Sequence, residues 1–138
     1  MKIRRFNEDI ESGDFISIQE VKDIFAHLDD YLDNVEISYK WLSGITEYHL
    51  TDEPEETQDT QVVLIKGELP YEDNVPFYAE YGYDSQAVST KDLIKLQSVL
   101  AEVIDASKHV ESEGYKVHTQ ITNYMFFITI SKIGDLLL

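Results

Sequence analysis

Residues 17–34, SIQEVKDIFAHLDDYLDN, carry the pattern that decides the fold of this chain. Ser17 stands at a helix N-cap position and Glu20 follows three residues later, which is the spacing of a reciprocal capping box. Behind this cap, apolar side chains recur at the intervals of one helical face: Ile18, Val21, Phe25, Leu28 and Leu32, widened by Ile24 and Tyr31. The stretch therefore predicts an amphipathic helix that ends near Asn34.

The same pattern returns 72 residues later in STKDLIKLQSVLAEVIDA, residues 89–106. Ser89 again precedes an acid by three residues, and the predicted buried stripe is Leu93, Leu96, Leu100, Val103 and Ile104. Two explanations stay open. The chain contains an internal duplication, or the two helices align only because a cap and a helical period impose the same pattern on any sequence.

Alternating apolar and polar residues after each helix predict β-strands. The segments concerned are Val35–Trp41, QVVLIKGEL at 61–69 with a candidate bulge at Gly67, Tyr115–Thr119 and Tyr124–Ile130. Helix and strands thus follow the order α-β-β and again α-β-β, with extra β material in the first half. We expect the α+β class, with two helices packed on one face of an antiparallel sheet.

The length of 138 residues predicts one domain, 1–138, with enough apolar material (43%) for its own core. Residues 1–16 form a polar N-terminal segment. Residues 51–60 contain TDEPEETQD, five acids and a proline with no apolar residue, and this composition predicts a mobile, solvated acidic loop.

The net charge of −16 argues against direct nucleic-acid binding, because such a surface repels phosphate backbones. The absence of cysteine excludes disulfides, thiolate nucleophiles, zinc–thiolate sites and iron–sulfur clusters. The apolar runs are far shorter than a membrane span, and no apolar region follows the basic N-terminal residues as in a secretory signal. These features predict a cytoplasmic protein with no membrane contact.

No motif in the chain indicates catalysis, a cofactor or a metal. The four histidines, at 27, 49, 109 and 118, lack metal-ligand spacing, and no phosphate-binding glycine loop or G-x-S-x-G is present. HLT at 49–51 matches the H-x-T motif of two-histidine phosphoesterases, but HTQ at 118–120 does not, so the pair fails. The sequence therefore favours a non-enzymatic protein.

The aromatic residues exceed what a small core requires, with nine tyrosines, six phenylalanines and one tryptophan. Tyrosine is enriched in interfaces because it combines apolar area with a hydrogen-bonding hydroxyl. An equally open interpretation is that these rings pack on a sheet face. We predict that partner-binding residues are Trp41, Tyr71, Phe77, Tyr78, Tyr81 and Tyr83.

The first eight residues, MKIRRFNE, resemble the N-termini of small accessory or virion-associated proteins of large tailed bacteriophages. The matching positions are Lys2, Arg4, Arg5, Phe6, Asn7 and Glu8. The resemblance implies a phage-encoded protein in the host cytoplasm and assigns no site residues.

Three hypotheses for function follow from these observations. The first is a non-enzymatic acidic protein that binds a protein partner, in its most specific form a phage-encoded inhibitor of a host factor. The second is a structural virion or assembly component that forms homo-oligomers. The third is a small-molecule or nucleotide-binding protein with its site between helices and sheet.

Overall fold

The computed structural model describes residues 15–44, 49–70, 75–78, 84–122 and 125–132. Two α-helices, α1 (Ile18–Ile24) and α2 (Thr90–Ser112), are present, and a 3₁₀ turn over Ala26–Asp30 follows α1. The strands are β1 (Asp33–Ser43), β2 (His49–Thr51), β3 (Thr60–Glu68), β4 (Val75–Tyr78), β5 (Asp84–Ala87), β6 (Tyr115–Thr122) and β7 (Met125–Lys132).

Five of these strands form one antiparallel sheet in the order β2-β1-β3-β7-β6, and β4 and β5 pair separately as a hairpin. Two helices with an antiparallel sheet confirm the α+β class. The units α1-β1-β3 and α2-β6-β7 each contribute a helix, an outer strand and a central strand, and the extra strands lie in the first half. A duplication as the origin of this similarity stays a prediction.

The core lies between the helices and one face of the central strands. Val63 is opposite Ile130 and Ile65 is opposite Ile128, so these side chains share a face of the sheet. All four are at most 1% exposed and belong to one apolar cluster with residues of both helices, namely Val21, Val99, Val103, Ala106 and Val110. Burial of each such large side chain stabilises the fold by roughly 1.5–3 kcal/mol.

The first helix is shorter than its sequence pattern predicts. The cap at Ser17 is confirmed, because the backbone N–H of Glu20 donates to Ser17 Oγ at 3.1 Å. The helix nevertheless ends at Ile24 and the chain continues as the 3₁₀ turn, so the predicted end near Asn34 is wrong. Asp29 and Asp30 would oppose the dipole of a longer helix, and α1 ends before them. Of the predicted apolar stripe, Val21, Phe25, Leu28 and Leu32 are buried and Ile18 and Ile24 are half-buried, whereas Tyr31 is 36% exposed.

The second helix is capped as predicted, since the N–H of Asp92 donates to Ser89 Oγ at 3.1 Å. Its buried stripe is rotated from the predicted one. The residues it buries are Asp92, Val99, Val103, Ala106 and Val110. Leu93 and Ile104 are 52% and 51% exposed, so their predicted burial is wrong. Apolar residues cover more than half of the circumference of α2, and periodicity alone does not select which of them face the core.

The segment before α1 is attached to the sheet by aromatic side chains. The Phe15 ring packs edge-on against Tyr115, with 5.5 Å between ring centroids, and it also contacts Tyr39. The Tyr39 hydroxyl donates to the carbonyl of Ile16 at 2.9 Å, and burial raises the pKa of this phenol. Of the predicted polar segment 1–16, only residues 15 and 16 are described, and Ile16 belongs to the core.

Gly67 provides the space into which Leu32 packs. The register between β3 and β7 is regular through Gly67. The register between β1 and β3 is irregular opposite Gly67, between Asp33 and Glu36 of β1. Asn34, in this irregular part, has a left-handed φ of 53°. Gly67 therefore lies opposite the irregularity, whose extra residue is in β1 and not in β3. A Cβ atom at Gly67 would lie 2.9 Å from Leu32 Cδ1 and 3.2 Å from Leu32 Cβ. Glycine is required here because the side chain of Leu32 covers the strand backbone.

We predict that Gly67→Ala lowers the free energy of unfolding by about 1–3 kcal/mol, measured by urea denaturation, because the added methyl overpacks the contact with Leu32. The control is the same substitution in a Leu32→Ala background, where the nearest clashing atom is gone and the loss should be smaller. An equal loss in both backgrounds would show that the contact with Leu32 is not the cause.

Candidate protein-binding surface

The predicted aromatic contact residues are only partly described. Trp41 lies in β1 between Gln61 of β3 and Thr51 of β2, and it is half-buried. Phe77 and Tyr78 lie in β4, where their backbones pair with Ser85 and Asp84 of β5. Tyr71, Tyr81 and Tyr83 are outside the described residues. Partner contact by these six aromatics stays a prediction.

The acidic loop between β2 and β3 is exposed and is closed by one carboxylate. Asp59 Oδ2 accepts hydrogen bonds from Ser43 Oγ at 2.6 Å and from the N–H groups of Glu55 and Glu56 at 2.6 and 3.0 Å. At the start of the loop, Lys40 forms an ion pair with Asp52. In the described part of the chain, no three acidic or histidine side chains are placed to hold a metal ion. The hydrogen bond from Ser43 and the ion pair with Lys40 hold the two ends of the loop to β1.

Hydrogen bonds hold the pKa of Asp59 below its ordinary value of 3.8, with the Ser43 hydroxyl as the largest contribution. We predict that Ser43→Ala raises the pKa of Asp59 toward 3.8, measured by NMR titration of the carboxyl carbon. A lowered pKa in the folded state adds stability above pH 3.8 that is lost as the pH falls through the folded value. The stability difference between the variant and the wild type should therefore shrink on acidification.

The matched control for this prediction is Ser38→Ala, on the same strand but without a contact to Asp59. It should leave the titration of Asp59 unchanged. An unaltered Asp59 pKa in Ser43→Ala would contradict the assignment of the hydroxyl as the main cause.

The histidines do not combine into a site. His49 lies in β2 and His118 in β6, which are the two outermost strands of the sheet, so they cannot hold one phosphate together. His27 and His109 form exposed pairs with acids on their own helical segments, at 3.7 Å from Asp30 and 3.3 Å from Glu113. This placement agrees with the failure of the paired histidine motif in the sequence.

One flank of α2 carries a continuous apolar surface. Leu93, Ile94 and Ile104 are each more than half exposed, at 52%, 59% and 51%. Together with Thr90, Leu96, Gln97, Leu100 and Ala101 they line a shallow open groove, and none of these eight side chains is charged. In a chain with 27 acids, such an uncharged stretch is a distinct feature of the surface.

The apolar flank of α2 continues onto the edge of the sheet. Leu100 and Ile104 line a second groove between α2 and β6, together with Val117 and Thr119 of β6. The other residues of this groove come from α2 and include one base and one acid: Val103, Ser107, Lys108 and Glu111. Ile121, 43% exposed, lies on the same face of β6 as Val117 and Thr119. The α2–β6 surface is defined here as Leu93, Ile94, Leu100, Ile104, Val117, Thr119 and Ile121.

Strand β6 presents an open edge beside this flank. Among the described residues it pairs only with β7, in a regular register over all eight of its residues, and it contains neither proline nor an acid. Alternate N–H and C=O groups of such a strand point away from its neighbour, and in the described part of the chain no second strand pairs with Lys116–Thr122. The opposite side of the sheet differs, because β2 covers Trp41–Ser43 of β1 and an irregularity interrupts β1 between Asp33 and Glu36.

Comparisons with known proteins give no match. No protein-family model, no curated protein and no solved structure is similar to this chain. Within the described residues, none of the helices has the length and apolar character needed to cross a membrane. The α2–β6 surface is therefore the feature of the described residues from which a function can be inferred.

Proposed function

We propose that the chain is a non-enzymatic protein-binding protein that engages a protein partner through the α2–β6 surface. The observation that carries this proposal is the contiguity of an apolar, uncharged helix flank with an open strand edge, in a chain of net charge −16. Contiguous exposed apolar surface of this kind marks interaction sites in water-exposed proteins.

The two parts of the surface support binding in different ways. Covering the exposed half of a leucine or isoleucine contributes about 1 kcal/mol, so Leu93, Ile94 and Ile104 supply favourable binding energy. The open edge of β6 supplies main-chain hydrogen bonds, which fix the direction and register of a strand added from the partner. An extended segment of the partner can pair with β6 and cover the apolar flank of α2 at the same time, because Ile104 and Thr119 line the same groove.

The layer between helices and sheet offers less to a small ligand. Its described part is filled by the apolar cluster that includes Val63, Ile128 and Val103. The negative charge disfavours phosphate-rich ligands for the same reason that it disfavours nucleic acids. We therefore prefer protein binding to the nucleotide-binding hypothesis.

The setting we propose is the cytoplasm, which the cysteine-free composition favours. The resemblance of residues 1–8, which lie outside the described part, to phage proteins makes a host or virion protein one class of partner. Inhibition of a host factor is a special case of the proposed function.

Site-specific photo-cross-linking tests this proposal in cells that make the protein. The photo-reactive residue p-benzoylphenylalanine replaces either Ile104, on the surface, or Leu50, a comparably exposed residue of β2 at the other side of the sheet. We expect a covalent protein adduct of defined mass from position 104 and none from position 50. Leu93→Arg in the same chain should reduce the adduct at least fivefold, because a charge on the apolar flank must be desolvated on binding.

Equal adduct yields from the two positions, or an adduct that Leu93→Arg does not reduce, would contradict the proposed function. Circular dichroism of the Leu93→Arg variant provides the folding control. Because Leu93 is largely exposed, the substitution should leave the melting temperature nearly unchanged.

A further inference from the structure

We infer that the α2–β6 surface binds a second copy of this chain, and that β6 pairs antiparallel with β6 of the second copy across a two-fold axis. The contact joins the two five-stranded sheets edge to edge and places the two α2 helices side by side. This inference rests on the proposed function and names the partner of the same surface.

Charge favours a second copy over a basic partner. Each chain carries −16, so two copies repel each other wherever acids meet. Strand β6, YKVHTQIT, has no acid, and none of the eight residues that line the α2 flank is charged. In the groove between α2 and β6 the one acid, Glu111, is accompanied by one base, Lys108. The surface is thus where two copies meet with little repulsion, and β6 itself offers no carboxylate for a basic protein to bind.

The sequence of β6 is self-complementary about Thr119. The residues that share the helix-covered face are Val117, Thr119 and Ile121, since their partners in β7 are the buried Ile130, Ile128 and Phe126. With Thr119 on the two-fold axis, Val117 of each copy lies opposite Ile121 of the other. Cross-strand pairs of β-branched side chains stabilise an antiparallel ladder.

The opposite face of β6 is compatible with the same register. His118 then lies opposite Gln120 of the second copy, and Lys116 opposite Thr122. No like charges face each other in this arrangement. Like charges directly opposite would weaken the pairing.

The position of helix α2 is compatible with the same two-fold axis. A two-fold axis perpendicular to the sheet keeps the helices of both copies on one face. Helix α2 packs over β6, and the groove between them is lined by Leu100, Ile104, Lys108 and Glu111 of α2 with Val117 and Thr119 of β6. The same symmetric contact therefore covers both the strand edge and the apolar flank.

Light scattering and sedimentation equilibrium test the inference on the full chain. The expected mass at high concentration is twice that of the 16.0 kDa chain. Thr119→Lys places two lysines opposite each other on the axis and should raise the dissociation constant of the dimer at least about tenfold. The matched control is Thr57→Lys, which makes the same charge change in the exposed acidic loop and should not weaken the dimer.

A mass of one chain at all concentrations would overturn the inference, and so would equal dissociation constants for the two lysine variants. Both threonines are exposed, so neither substitution should disturb the fold.

Single cysteines test the register, since the chain has none of its own. The two Thr119→Cys positions would face each other across the axis at a Cα separation of about 4.5–5.5 Å, which suits a disulfide. We expect a disulfide-linked dimer on mild oxidation of Thr119→Cys. Gln120→Cys is the control, because its two copies would be diagonal neighbours at about 7–8 Å and should cross-link much less. Equal cross-linking of the two variants would contradict the register.

The oligomeric state and the cross-link from position 104, taken together, distinguish a failure of this inference from a failure of the proposed function. A monomeric chain whose position 104 still forms an adduct with another protein would overturn self-association and leave protein binding in place. A monomeric chain without such an adduct would overturn both.

Discussion

The pairing of β3 with β7 is the contact on which the rest of the structure depends. It joins Thr60–Glu68 to Met125–Lys132 and brings Val63 against Ile130 and Ile65 against Ile128. Each helix has an apolar stripe that it cannot bury alone, and these central side chains are what both stripes pack against. Without this pairing, α1-β1-β3 and α2-β6-β7 would each expose half of a core.

The central position of β3 and β7 also determines where the proposed binding surface lies. Strands β3 and β7 occupy the middle of the sheet, so β1 lies beside β3 and β6 lies beside β7. Strand β2 covers one end of β1, whereas the described residues place no strand beyond β6. The edge of β6 and the flank of α2 above it are therefore consequences of the topology. Strand β6 has no acid, and the groove between it and α2 has one, Glu111, beside Lys108, so the composition suits association.

The local features of the fold could be predicted from sequence because short-range interactions determine them. Ser17 and Ser89 cap their helices as expected, and most of the apolar stripe Val21–Leu32 is buried although α1 ends early. Strand order could not be predicted, since it depends on contacts between residues about 65 positions apart, such as Val63 and Ile130.

The proposed binding surface could not be predicted from the sequence for a related reason. Leu93 and Ile104 fit a helical period as well as the buried Val99 and Val103 do, so the sequence does not distinguish core from surface on α2. Two signals were nevertheless present: apolar residues around more than half of α2, and the acid-free run Tyr115–Thr122 in an acidic chain. Both become interpretable only when β6 is known to be an edge strand.

Amide hydrogen exchange, resolved by residue, shows whether a second copy covers the edge of β6. Exchange is measured in a dilute and a concentrated sample of the unmodified chain. We expect alternate amides of Lys116–Thr122 to exchange more slowly in the concentrated sample, while amides of β3 are unaffected. If the concentrated sample is dimeric and the β6 amides still exchange at the same rate in both samples, a second copy does not cover the edge of β6.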